Sequence, residues 1–295
     1  MPSRFAAGIR SRNGFRPSGI LVVVGLLTTT VITLHSIAIP TAALSGQAAG
    51  LWAMPTATEE KTAWTSITRG VEYATLPVRI SGQPGDSIRV ARIDPAAVLF
   101  RIYYQDGQRK TVQDWARERP GAVIIVNANF FRANGHPIGL VRIGDQILSQ
   151  ATDRPGSGYF QVAGEVPQIS ALPDDHIEHG QPSRPYIESI EGFPLLIMQG
   201  KPVPSSLGYD AAIRAWRTVI AQDDTGRILL IVTAPTEMGL PELTNWLCNS
   251  RLGIVTALNL DGGTSSQMYI ASPGIRSEVP PGTASVPVPL VVYPR

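Results

Sequence analysis

An α+β fold, one domain of mixed but mainly antiparallel sheets with a few packed helices, is what this sequence predicts, and three features predict it. Strand-like apolar runs outnumber helical ones along the chain. Residues 216–222 and 227–233 are two such runs joined by Asp223-Asp224-Thr225-Gly226, a hairpin signal in which Gly226 supplies the positive φ of the turn. Residues 228–260 read as strand, helix, strand, which places at least one helix on a sheet. The composition agrees, since only 16% of residues are charged while 28 Gly and 25 Pro provide for many turns.

Taken in order, the chain opens with Arg4, Arg10, Arg12 and Arg16, followed by an uncharged run over 19–34 and small residues up to Ala43. That order predicts a signal peptide or an N-terminal membrane anchor over 1–43, then a flexible spacer over 44–63 and the folded domain over 64–295. Within the domain, 87–93 alternates polar and apolar residues as a half-exposed strand does, and 98–104 gives another strand. A short helix is expected over 111–118, closed by Pro120-Gly121. The β-branched run 122–126 predicts a strand covered on both faces. Residues 151–189, broken by prolines, read as a loop over the site. A strand over 193–198 turns at Gln199-Gly200-Lys201. A helix then starts at Pro241, shares a face among Leu240, Leu243 and Leu247, and stops at Gly253. The buried strand 254–260 delivers Asp261.

Charge and motif content exclude several classes. With 25 basic against 23 acidic residues the net charge is +2, which does not suit a nucleic-acid partner, and part of the excess lies in the N-terminal arginines. The lone Cys248 forbids an intrachain disulfide, and its place in an apolar helical pattern predicts a small, inert, buried thiol. Gly156-Ser157-Gly158 is too short for a nucleotide loop, there is no Gly-x-Ser-x-Gly elbow, and no cofactor is called for. Asp174, Asp175, His176, Glu178 and His179 read as a solvated acidic loop with no metal; a metal-dependent phosphodiesterase centred on Asp174, Asp175, His176 and His179 is one alternative. His136 follows Asn134-Gly135 as a turn residue.

The residues able to carry chemistry gather in three places. A carboxylate directly after a buried strand is fixed in position, and Gly262-Gly263 lets a ligand or another backbone segment come close to Asp261. Thr264, Ser265 and Ser266 could donate to an anion there; the same spacing also fits a plain Gly-Gly turn. Asn127 and Asn129 fall on one face of a strand end, where they either stitch loops or bind a polyhydroxylated ligand. Arg214 suits the surface, whereas Arg217, beside Trp216 and before an apolar strand with Thr218, suits burial near a pocket, with bidentate geometry for a phosphate diester.

In order, Val126-Asn127-Ala128-Asn129-Phe130-Phe131, Gly192-Phe193-Pro194-Leu195-Leu196, Arg217-Thr218-Val219-Ile220, Asp224-Thr225-Gly226-Arg227, Glu242-Leu243 and residues 257–266 with Leu260-Asp261-Gly262-Gly263-Thr264-Ser265-Ser266 resemble the phosphodiester glycosidase family. The resemblance spans about residues 65 to 295 and implies hydrolysis of a glycosyl-1-phosphodiester, releasing the sugar and leaving a phosphomonoester. It implies a site at Asn127, Asn129, Arg217, Thr218, Asp261, Gly262 and Ser265. Beyond that mapping, the expected mechanism has Arg217 and the Gly262-Gly263 backbone hold the phosphate, Asp261 act as general base or sugar anchor, and the asparagines read hydroxyls. Asp261, Arg217 and Asn129 are thus the catalytic candidates, and Asn127, Thr218, Gly262, Gly263, Ser265 and Glu191 the substrate-binding ones. Glu191 stands where the family has a small residue, Trp216 where it often has proline, and Ala221 where glycine is common. The expected partner is a glycan or sugar phosphate in the cell envelope or exopolysaccharide, met outside the cytoplasm by a secreted, periplasmic or anchored protein. The remaining alternative is a noncatalytic glycan-binding or envelope-assembly protein using the same pocket.

Overall fold

The computed structural model describes residues 62–80, 83–107, 110–152, 154–171, 186–204, 212–272 and 284–295. The proposed signal or anchor segment, nearly all of the spacer and the cluster from Asp174 to His179 lie outside the described residues. Strands β1 (Thr65–Thr68), β2 (Val71–Ile80) and β3 (Gln83–Ile93) run as a meander, and β4 (Val98–Ile102) and helix α1 (Val112–Glu118) lead to β5 (Ile124–Asn127). Next come β6 (Val141–Ile143), β7 (Gln146–Ser149), β8 (Gly158–Ala163), β9 (Val166–Ser170) and β10 (Tyr186–Gly192). After them stand β11 (Leu195–Met198), β12 (Lys201–Pro202), β13 (Thr218–Asp223), β14 (Ile228–Val232), helix α2 (Leu240–Asn249), β15 (Ile254–Asn259), β16 (Met268–Ile270) and β17 (Pro289–Pro294).

These strands make three sheets: β1-β2-β3-β14-β13-β15-β11-β12, β7-β6-β10-β8-β9 and β16-β5-β17-β4, with antiparallel neighbours among the described residues. The fold is therefore mainly β. The expected packed helices reduce to α1 and α2 among the described residues, each on an outer face of a sheet. The expected strand-helix-strand unit is present as β14-α2-β15, with β13 lying between its two strands.

Burial explains the layering. On β14 every residue is buried, but the pleat sends Ile228, Leu230 and Val232 to one core and Leu229 and Ile231 to another. Leu240, Leu243 and Leu247 of α2 cover the second face, where β13 contributes Val219 and Ala221. On the first face the large sheet packs against Phe100, Ile124, Val126, Leu290 and Val292 of the four-stranded sheet and Phe160, Val162 and Ile190 of the five-stranded one. Ile125, turned the other way on β5, meets Val112 and Trp115 of α1. A strand covered on both faces is what the β-branched run 122–126 predicted.

Helix α1 is set by chemistry legible at its start. Thr111 caps the helix by accepting from Asp114 N, and Asp114 accepts from Thr111 N in return, a complete capping box. Trp115 Nε1 then donates 2.7 Å to the Val286 carbonyl from within the core.

Three expectations need correction. The segment 87–93 is covered on both faces, because Ile88 and Val90 enter the core under α2 while Ala91 and Ile93 enter the other. The stretch read as loop over 151–189 contains β8, β9 and the start of β10, and the turn between β8 and β9 is tight: Ala163 pairs with Val166 across Gly164-Glu165, with Gly164 at φ 62°. Pro167 is accommodated because β9 is an edge strand. Cys248 is exposed, because it follows Leu247 out of the buried stripe of α2.

Two substitutions test this layering by chemical denaturation. Leu230→Ala, in the middle of the central strand, lowers stability by about 2–5 kcal/mol. Thr111→Ala removes only a cap and costs about 1 kcal/mol.

Candidate functional site

The site forms where the large sheet meets the four-stranded one. At the end of β15, Leu260 N donates to the Thr218 carbonyl at 2.9 Å and Asp261 N to the Ala128 carbonyl at 2.9 Å. The chain thereby crosses from a ladder with β13 to the end of β5. Gly263 N then donates 2.8 Å to the Trp216 carbonyl. A Cβ on Gly262 would sit 2.8 Å from that same carbonyl oxygen, so the crossing requires glycine there. Gly263, at φ 63°, opens a 3-10 turn over Gly263–Ser265 that folds Ser265 back toward Asp261.

Side chains lock the crossing. Asn127 Nδ2 donates 2.6 Å to the Asp261 carbonyl, and its Oδ1 accepts from Thr218 Oγ1 at 2.7 Å and Gln267 N at 3.1 Å. Thr218 Oγ1 also lies 3.1 Å from Ser266 Oγ. Asn127, Thr218, Asp261, Gly262, Gly263 and Ser265 therefore converge, and Asn127 is occupied as a stitch. Asn129 donates through Nδ2 to the Ile138 carbonyl at 2.7 Å, while its buried Oδ1 has no hydrogen-bond partner.

Asp261 differs from the other buried carboxylates. The residue is half-buried, but its Oδ2 is sealed from solvent with no hydrogen-bond partner. Burial pushes its carboxyl up to about 7, against the opposing pull of the Ser265 hydroxyl and the Gly262 N–H. A carboxylate that changes charge near neutrality is suited to proton transfer.

The other candidates are held elsewhere by their own partners. Arg217 is buried as expected, but its Nε donates 3.0 Å to the Met238 carbonyl and NH2 2.7 Å to that of Ile213. Burial lowers the pKa of this guanidinium. Arg214 is on the surface, paired with Glu242 at 2.6 Å. Glu191 is buried, and its carboxylate accepts from Leu140 N, Thr152 N, Thr152 Oγ1 and Ser157 Oγ, tying the loops before β6 and β8 to β10. It also lines a pocket of about 200 Å³ with Phe130, Arg154 and Phe193. His136 occupies the expected turn, where its N–H donates to Asn134 Oδ1 at 3.0 Å.

A larger polar cleft of about 470 Å³ opens beside the crossing, walled by Lys110, Thr111, Phe131, Asn134, Thr264 and Ser265, among others. Sequence reasoning missed Lys110 and Gln267. Lys110 is paired with Glu118 at 2.6 Å and lies 4.6 Å over the Trp115 ring. Gln267, fully buried, accepts from Val112 N at 3.3 Å and donates to the Ala284 carbonyl at 2.9 Å, joining both walls of the cleft to the Asn127 network. No spacing rule marks a glutamine for that task; its position directly after Thr264-Ser265-Ser266 is the one available signal. Asn259 was also passed over: its Nδ2 donates to the Phe193 carbonyl at 2.7 Å and that of Leu260 at 2.9 Å, fixing β15 just before Asp261. Among the described residues no three His, Cys, Asp or Glu side chains form a group able to hold a metal ion. Nor is any described helix long and apolar enough to cross a membrane.

Residues 120–293 match the sequence model of the phosphodiester glycosidase family. No curated protein matches the chain in sequence. Among solved structures, a hypothetical protein from Synechocystis superposes with a TM-score of 0.60 at 18% identity, over 81% of this chain and 65% of that one. The chain thus spans just under two thirds of the Synechocystis protein. The zebrafish N-acetylglucosamine-1-phosphodiester alpha-N-acetylglucosaminidase catalytic domain, auto-inhibited by its pro-peptide, superposes with a TM-score of 0.58 at 17% identity, over 80% of this chain and 88% of that one. At these identities the superpositions show a shared fold.

The Asp261 carboxyl has a consequence for stability. Folded, it keeps its proton up to about pH 7; unfolded, it releases it near 3.8. Between those values the folded chain binds more protons, so this group's contribution falls as pH rises and its penalty is complete above about pH 7. Asp261→Asn therefore stabilises the protein at pH 8, on the order of 2 kcal/mol, with the gain vanishing toward pH 4; melting curves at both pH values check it. Gly262→Ala works in the opposite direction and lowers the melting temperature at every pH.

Proposed function

Because the chain belongs to the phosphodiester glycosidase family, whose members are glycosidase-type hydrolases of phosphodiester linkages, we propose that it hydrolyses the glycosidic bond of a sugar-1-phosphodiester. The substrate proposed is an envelope or exopolysaccharide glycan, met outside the cytoplasm. The N-terminal segment 1–43, as a signal peptide or anchor, delivers the domain 64–295 to that side, and 44–63 acts as the spacer. The observation that carries the reading is the half-buried Asp261, poised near neutrality beside a polar cleft in the segment that best marks the family.

In this reading the cleft receives the glycosyl phosphodiester, and Asp261 accepts the proton of the attacking water. Thr264 and Ser265 offer hydroxyls at the wall, and Phe131 an apolar face for a sugar ring. Asn127, Thr218 and Gly262 support the site by fixing the crossing backbone. Asn129, with its buried unpartnered Oδ1, is the amide left to accept from a hydroxyl. Arg217 contributes by clamping the loop that ends at Trp216, whose carbonyl receives Gly263 N–H. Its guanidinium does not line the cleft, so the phosphate contact expected of it passes to the Thr264 and Ser265 hydroxyls.

Ordinary glycosidases pair two carboxylates, one as general acid and one as base or nucleophile. Here Glu191, the other carboxylate near the site, is saturated by four donors. A phosphate monoester leaves without strong acid assistance, so one working carboxylate is sufficient. Assayed on a synthetic sugar-1-phosphodiester, the protein is expected to release free sugar and a phosphomonoester. Asp261→Asn should lower kcat by about 100-fold or more while the fold is retained. Unchanged turnover in that variant would remove Asp261 from the chemistry; binding of the diester with no sugar released at any pH would mark a glycan-binding protein.

A further inference from the structure

A short finger of chain after β5 divides the surface beside the crossing. Phe131 pairs with Pro137 across it, Ile138 N donates to the Phe130 carbonyl at 2.7 Å, and Arg132 N to that of His136 at 2.8 Å. Successive side chains of an extended segment leave on opposite faces. Phe131 accordingly lines the large cleft, whereas Phe130 and Ile138 line the pocket of about 200 Å³ on the other side. That pocket has two half-buried aromatic rings, Phe130 and Phe193, and the Arg154 guanidinium lies 3.5 Å over the Phe193 ring. Ile138, 39% exposed, stands open at its rim with Thr152. Glu191 is buried behind them, and its carboxylate ties Leu140, Thr152 and Ser157 together. Gly139, at φ 87°, packs so closely there that a Cβ on it would sit 2.8 Å from Glu191 Oε2. Glu191 stands where the family pattern has a small residue, so the frame of this pocket is a departure particular to this chain.

We infer that this pocket is a second sugar subsite, holding a neutral ring further along the glycan whose first sugar occupies the cleft. The inference rests on the hydrolase reading above and names its substrate class as an oligosaccharide or longer glycan. Aromatic faces receive the apolar C–H face of a pyranose, and a guanidinium held flat on a ring presents planar donors to its hydroxyls. Thr152 adds a hydroxyl at the rim. An acidic sugar would meet Glu191 in the same small space, and a basic one would meet Arg154, so the pair favours a neutral occupant. An alkyl chain would cover the Arg154 and Thr152 donors without accepting from them. Direction follows from the finger. Phosphate is proposed to meet Thr264 and Ser265, and the scissile sugar to meet Phe131, so the pocket beyond Phe131 lies on the side away from the phosphate.

The test takes a sugar 1-(methyl phosphate) that wild type hydrolyses, chosen from a panel of common hexoses and 2-acetamido hexoses, and extends its sugar by further hexose units through O4 or O6. Extension through one of these positions should raise kcat/KM by at least about tenfold. Ile138→Trp, which fills the exposed rim, and Arg154→Ala should each erase that gain. Both variants should keep kcat/KM on the unextended diester within about threefold of wild type, with melting temperatures unchanged. The subsite is overturned if no extension raises kcat/KM, if either variant keeps the gain, or if the variants lose activity on short and extended diesters alike. It is also overturned if the gain instead follows a change from methyl to octyl on the phosphate and disappears in Ile138→Trp, which would give the pocket to the aglycone. Should wild type release no sugar from any diester, the hydrolase reading falls, and calorimetric titration with the free oligosaccharides of the panel decides the pocket alone. Binding to wild type that Ile138→Trp abolishes keeps the subsite; no binding, or binding that the variant leaves unchanged, overturns it.

Discussion

The hydrogen bond from Asp261 N to the Ala128 carbonyl, 2.9 Å long, is where two sheets become one site. β15 belongs to the large sheet and β5 to the four-stranded one, and this bond carries the chain from the first to the second. Everything nearby depends on that crossing. Asn127 can reach the Asp261 carbonyl, and Gly263 the Trp216 carbonyl, because the backbone has been brought to within a Cβ radius of its neighbours at Gly262. An amide such as Asn127 would cost about 1–3 kcal/mol if left unpaired in this interior. With both ends engaged, it stabilises the turn that holds the carboxylate.

The carboxylates of the interior differ in how fully their neighbours satisfy them. Asp223 pays for burial through donors from the Thr225 hydroxyl, Arg227 N and Nε, and Thr225 N, and its carboxyl stays below the usual range despite the desolvation. Glu191 is saturated in the same way. Glu188 has one backbone donor, Ile102 N at 3.0 Å, and burial pushes it up to about 7, opposed by that bond and by Arg101. It sits between β10 and β4, and the cleft is not lined by it. Asp261 alone among these four combines incomplete satisfaction with a hydroxyl neighbour that opens onto a cavity. Such incomplete satisfaction costs stability, and functional sites are where proteins retain such costs.

Much of this arrangement was legible in the residues themselves. The runs 216–222 and 227–233 read as a hairpin, 111–118 as a short helix, and Asp261-Gly262-Gly263 as a close backbone approach. The five-stranded sheet was not legible, because β6 to β9 are three to six residues long and Pro167 reads as a breaker until one knows that β9 is an edge. Cys248 was misplaced because a helical stripe covers only part of the circumference, and one position beyond Leu247 is already solvent. At the site, the proximity of Asn127, Thr218 and Asp261 could be anticipated from their motifs. What could not be read was the direction of Arg217, because a guanidinium that suits a phosphate suits two carbonyl oxygens equally well.

That redirection of Arg217 bears on how the site handles charge. The guanidinium is taken up by the Met238 and Ile213 carbonyls, so in the proposed reaction it does not meet the charge that grows on the departing phosphate. On the proposed reading that charge falls to the Thr264 and Ser265 hydroxyls, which line the cleft from a 3-10 turn held by its own backbone bonds. The same turn carries Ser265, which faces Asp261. The proposed leaving-group stabilisation and proton acceptance thus fall on one short segment, whose geometry follows from the glycines that let it pass between the two sheets.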